Sequence, residues 1–116
     1  MQKDVKLSDR VRTLIEYSDL PIFVSAVSAY EIMNKYRLGK LPEYSYVAEN
    51  YFDILRRLSA EELPIRTSHA YFAGKIEWVH RDPFDRLLAA QAITDNLTLI
   101  TNDAVFQELN DVKILW

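Results

Sequence analysis

The sequence predicts an α/β fold: a three-layer α/β/α sandwich with helices on both faces of a mostly parallel central sheet. Three observations predict it. Short apolar runs such as Ile22-Phe23-Val24, Leu97-Thr98-Leu99-Ile100 and Val112-Lys113-Ile114-Leu115 have the length of buried strands. Longer stretches between them carry apolar residues at helical spacing. Strands that alternate with helices in this way pair in parallel and pack their crossover helices on the sheet.

The elements follow in order along the chain. Leu7, Val11, Leu14 and Ile15 predict a helix over 8–18, ended by Asp19-Leu20-Pro21. Ile22–Val24 is the first strand. Ser28 opens a second helix, with Glu31 three residues on in capping-box position, and Gly39 stops it ahead of Leu41-Pro42. Val47, Tyr51, Ile54, Leu55 and Leu58 mark a third helix, and Leu63-Pro64-Ile65 a short strand. A helix over 68–76 leads into a loop from Trp78 to Arg81. Asp82 and Pro83 begin a long helix reaching Thr94, because aspartate caps a helix and proline suits its first position. The strand at 97–100, a helical turn over 104–109 and the strand at 112–115 close the chain.

With 116 residues, 49 % apolar and 27 % charged, the composition is that of one globular domain spanning residues 1–116. There is no cysteine, which excludes disulfides, thiolate metal sites and cysteine nucleophiles. No apolar run approaches the about 20 residues of a membrane span, and no charged-then-apolar leader precedes the first helix, so a cytoplasmic protein is expected. The net charge of −3 argues mildly against indiscriminate nucleic-acid binding but leaves room for an enzyme whose acids surround a cation.

Parallel sheets place their sites beyond the carboxyl ends of the strands. Glu31 follows the first strand and Asp103 the strand at 97–100, while Asp82 and Asp85 stand three apart at a helix start. Carboxylates that converge repel one another unless a cation sits among them, and oxygen ligands favour Mg²⁺ or Mn²⁺. Taken singly, each acid also reads as a helix cap, so position by position the function stays open. Lys35, Arg37 and Lys40 form a basic stretch that reads as a solvated face or as a contact for RNA phosphates. His69 and His80 lack metal-motif spacing, and His69 reads as packed or hydrogen-bonded on its helix. A clustered set of tyrosines, Tyr30, Tyr36, Tyr44, Tyr46 and Tyr51, reads as half-buried packing. No nucleophile elbow or glycine-rich phosphate loop is present.

Three stretches in order carry a resemblance. They are Phe23-Val24-Ser25-Ala26-Val27-Ser28-Ala29-Tyr30-Glu31-Ile32, His80-Arg81-Asp82-Pro83-Phe84-Asp85-Arg86-Leu87-Leu88-Ala89-Ala90-Gln91-Ala92, and Leu99-Ile100-Thr101-Asn102-Asp103. Together they resemble the PIN domains of virulence-associated protein C (VapC) toxins over residues 7–116. The resemblance implies a Mg²⁺- or Mn²⁺-dependent endoribonuclease toxin, a cognate antitoxin, an RNA substrate and a homodimer. It implies that Glu31, Asp85 and Asp103 hold the metal, with Asp82, Ser28 and Thr101 supporting them. It also implies a departure, because such domains begin with a strand ending in a first metal-binding aspartate. Met1–Lys6 offers no such strand, and Asp4 is not assigned that role. The expectation is therefore a PIN-like fold whose first strand is missing: an incomplete start, a degenerate member, or a gap filled by a partner strand. The alternative function is a catalytically inactive PIN-like remnant that binds an antitoxin or RNA. A phosphoacceptor signalling domain would need an acceptor aspartate ending a central strand and a lysine ending a later one, and neither arrangement is seen.

Overall fold

The computed structural model describes residues 8–39 and 45–116. The expectation of a missing first strand, with its readings of Asp4 and Leu7, falls outside the described residues, as do Lys40, Leu41, Pro42 and Tyr44. The described chain divides into two compact units, residues 13–64 and residues 65–116 together with 8–12.

In the first unit the order is β1 (Phe23–Ser25), α2 (Ala26–Arg37), α3 (Ser45–Glu49), α4 (Tyr51–Arg57) and β2 (Glu61–Leu63), preceded by α1 (Asp9–Tyr17). Ser8 caps α1 by accepting the Val11 amide at 3.1 Å. β1 and β2 pair in parallel, Val24 opposite Glu62. A parallel return needs a crossover, and α2 to α4 supply it. α2 begins earlier than the capping-box reading placed it. Ser25 is the cap, its hydroxyl accepting the Val27 amide at 3.1 Å, and Ser28 lies inside the first turn. α2 stops at Gly39, whose φ of +68° is the left-handed conformation glycine adopts freely. The single helix predicted from Val47 to Leu58 is two helices. Asn50 separates them, with φ −119° and a side-chain amide donating to the Tyr46 carbonyl at 2.9 Å. The main-chain amide of Asn50 keeps its bond to the same carbonyl at 3.0 Å, so the break lies in the backbone torsion while the side chain adds a second donor there. β2 lies two residues earlier than predicted, since Pro64 brings no N–H to a ladder.

The second unit runs α5 (Thr67–Lys75), α6 (Pro83–Thr94), β3 (Thr98–Ile100), a 3-10 helix (Ala104–Glu108) and β4 (Lys113–Leu115). β3 and β4 are also parallel, Leu99 opposite Ile114. The strands are therefore parallel, as the alternation predicts; among the described residues they hydrogen-bond as two separate pairs. α4 and α6 end alike, with Ser59 (φ 52°) and Asn96 (φ 55°) turning the chain into the following strand. In each, an amide five residues on closes the helix end, Ala60 to the Leu55 carbonyl at 2.9 Å and Leu97 to that of Ala92 at 2.8 Å.

The core of this unit is Ala89, Phe106 and Val112, with Ile76, Trp78, Ile93, Leu99, Val105, Leu109 and Ile114 packed around them. Phe106 is fully buried, worth about 3 kcal/mol of transfer free energy. The buried alanines of α6, Ala89, Ala90 and Ala92, keep its packed face small. Among the described residues no helix is long and apolar enough to cross a membrane.

Candidate functional site

Chemistry concentrates where α6 begins. Asp82 is its N-cap, one carboxylate oxygen accepting the Phe84 amide at 2.9 Å, and Pro83 takes the first helical position as predicted. Asp85 follows in the first turn and is only 1 % exposed. Its Oδ2 lies 2.7 Å from His80 Nε2, whereas its Oδ1 is buried with no hydrogen-bond partner. A carboxylate accepts, so Nε2 is the protonated nitrogen of that imidazole. Ligand atoms of His80, Asp82 and Asp85 all lie within 4.8 Å of one another.

The preceding loop is held by Arg86. Its guanidinium donates to the carbonyls of Ala73, Trp78 and His80, each at 2.9 Å, and to that of Ile76. Four main-chain acceptors on one rigid fork lock residues 73–80 against the first turn of α6. Trp78 anchors the same loop to the core, its ring 5.8 Å from Phe106 and 5.0 Å from His80, and its indole N–H on Glu108 at 2.9 Å.

Asp103 ends the β3 loop as the cap of the 3-10 helix, accepting the Val105 amide at 3.1 Å. Thr101, expected to help an acid through its hydroxyl, accepts the Asp103 amide at 3.1 Å and is itself buried. It also donates its own amide to the Leu115 carbonyl at 3.1 Å, tying the loop to β4.

Glu31 stands in the other unit, on α2, and is buried. Its carboxylate meets Lys35 one turn on, at 3.6 Å, and the helix cap it was read as completing lies at Ser25 instead. Lys35, read as part of a basic face, thus turns its ammonium to Glu31, and its side chain is mostly buried. Arg37 is exposed and donates to Asn34 Oδ1 at 2.6 Å. Two tyrosines of the cluster have perturbed phenols. The Tyr36 hydroxyl donates to Glu49 at 2.7 Å, and that hydrogen bond, with the carboxylate's charge, raises its pKa above the usual value. Tyr51 is raised by burial and then by the charge of Glu62.

His69 is packed as predicted. It is fully buried, Nδ1 accepting the Arg66 amide at 3.0 Å and Nε2 donating to Asp95 at 3.1 Å. His80 and Arg86 were missed as site residues. No spacing signals them, because the loop held by Arg86 and Trp78 is what brings His80 to Asp85.

The donor set here fits a hard divalent cation. A buried carboxylate oxygen without a partner carries a desolvation cost of about 1–3 kcal/mol, which a cation offsets.

The PIN domain family model matches residues 2–112. Among solved structures, the chain is similar to one in the crystal structure of VapBC2 from Rickettsia felis bound to a DNA fragment from their promoter. The TM-score is 0.67 at 18 % identity, over 92 % of this chain and 81 % of that one. No curated protein matches the sequence.

Proposed function

The chain belongs to the PIN-domain family, and from that premise we propose that it is a metal-dependent endoribonuclease, the toxin of a toxin–antitoxin pair. The observation that carries this reading is Asp85, a buried carboxylate with one oxygen held by His80 and the other left without a partner. Asp85, Asp103 and Glu31 are the acids assigned to the ion, Mg²⁺ or Mn²⁺. Such an ion, when bound, lowers the pKa of a water and polarises a phosphodiester. The chain's own residues do the positioning. Asp85 offers Oδ1, and Asp82 sets the helix start through its cap. Thr101 fixes the Asp103 amide, which orients the loop from which that carboxylate projects. Ser28, in the first turn of α2, supports the segment carrying Glu31. Arg37 and Lys40 are assigned to RNA phosphates; Lys35 serves Glu31 first.

One structural neighbour is in a VapBC2 complex, which supports an antitoxin as the partner of this chain. A homodimer of a cytoplasmic protein, folded as one domain, completes the reading.

The test is cleavage of a single-stranded RNA with Mg²⁺ or Mn²⁺, comparing the wild type with Asp85→Asn and Asp103→Asn. Each substitution is expected to lower the rate by more than the about 10–100-fold that outer partners of a metal ligand cost. Undiminished cleavage by both variants would defeat the assignment.

A further inference from the structure

We infer that His80 is a positioning residue for Asp85: by holding Oδ2 it commits Oδ1 to a divalent cation. The inference rests on the proposed role of Asp85 as a metal ligand and goes beyond it, because His80 itself touches no ion.

The geometry divides the two oxygens of one carboxylate. Nε2 of His80 stands 2.7 Å from Oδ2, and Oδ1 is buried without a partner. The terminal torsion of an aspartate is broad and two-fold, so a carboxylate left to itself presents either oxygen and a range of tilts. A short charge-assisted hydrogen bond to one oxygen removes that freedom.

His80 is in turn placed by groups away from the site. Arg86 takes its carbonyl at 2.9 Å, and the Trp78 ring lies 5.0 Å from the imidazole, inclined by 49°. Trp78 is seated on Phe106 and bonded to Glu108. The chain of restraint therefore runs from the core through Trp78 and Arg86 to His80, and from His80 to one oxygen of Asp85.

The rival arrangement makes His80 a ligand alongside Asp82 and Asp85, whose ligand atoms lie within 4.8 Å of it. The hydrogen bond argues against it. A nitrogen that carries a proton toward Oδ2 has no lone pair for an ion.

The experiment is Mn²⁺ titration followed by electron paramagnetic resonance on wild type and on His80→Ala, His80→Gln, His80→Asn and Asp85→Asn. A spin-echo spectrum of protein carrying ¹⁵N-labelled histidine accompanies it. Glutamine places an N–H where Nε2 stands, whereas asparagine is too short to reach. The expected result is Mn²⁺ binding weakened about 10-fold or more in the alanine and asparagine variants, largely restored by glutamine. The wild-type spectrum should show no directly coordinated histidine nitrogen. Wild-type affinity in both His80→Ala and His80→Asn, with Asp85→Asn impaired, would overturn the positioning role alone. A directly coordinated nitrogen that vanishes in His80→Gln would overturn it in favour of ligation. Unaltered affinity in Asp85→Asn would remove the metal assignment itself and the inference with it. Should His80→Ala fail to fold, the contrast between glutamine and asparagine still decides.

Discussion

Two histidines of the second unit each meet an aspartate of α6, one near its start and one at its end, and the two pairs are completed to different degrees. At the C-cap, His69 is fully enclosed and both its nitrogens are bonded. Asp95 takes His69 on one oxygen and the Arg66 guanidinium on the other, at 2.9 Å. Both imidazole nitrogens and both carboxylate oxygens in that cluster have partners, and it joins the start of α5 to the end of α6. At the N-terminus, His80 is partly exposed and Asp85 keeps one buried oxygen free of partners. The same two residue types thus make a closed joint in one place and an open valence in the other. A fold gains nothing from leaving a buried carboxylate oxygen without a partner. The open pair is where a ligand belongs, and the closed pair is scaffolding.

That contrast can be broken by substitution. The largest stability loss is expected for Arg86→Met, which strips four main-chain carbonyls of one charged donor; about 3 kcal/mol should appear in urea unfolding. A loss under about 1 kcal/mol would show that the loop is held by Trp78 and the core instead. Next comes His69→Ala, at about 2 kcal/mol, from the cavity and from the lost bonds to Arg66 and Asp95. Its Mn²⁺ affinity should stay at the wild-type value. A fall as large as that of His80→Ala would erase the distinction between the two pairs. The smallest effect, about 1 kcal/mol, belongs to Asp82→Ala, which removes the α6 cap. Asp82→Ser should restore most of it in thermal denaturation, since serine caps as well. If serine restores nothing, the aspartate acts there through its charge rather than its cap.

How much was legible varied with how local the cause was. The start of α6 was readable because Asp82 and Pro83 act through their own backbone neighbours. Gly39 ended α2 for the same reason. β1 and β2 were displaced by one and two residues, because a strand's limits depend on its partner: Phe23 needs Glu61 opposite, and Pro64 brings no amide. The cap of α2 moved from Ser28 to Ser25 once β1 ran directly into the helix. The division of the third helix falls at one residue, Asn50, whose backbone torsion leaves the helical range and which periodicity treats as any polar residue. At the site, the acids were readable as types and Asp85 as a candidate. The part of His80 was not, since its relation to Asp85 depends on a loop path that no spacing encodes.

By itself, the sequence determined the α/β alternation, the capped start of α6 and the family resemblance. These are properties of short windows, where a residue's conformational preference and its nearest hydrogen-bond partners decide. Tertiary structure alone decided which carboxylate oxygen has a partner and which has none. That choice is made by Arg86 and Trp78, which fold the 73–80 segment onto the first turn of α6 and bring an imidazole to one side of Asp85. Burial then turns a small difference in hydrogen bonding into a chemical one, because no protein group pairs with Oδ1 and a buried carboxylate oxygen is costly to leave so.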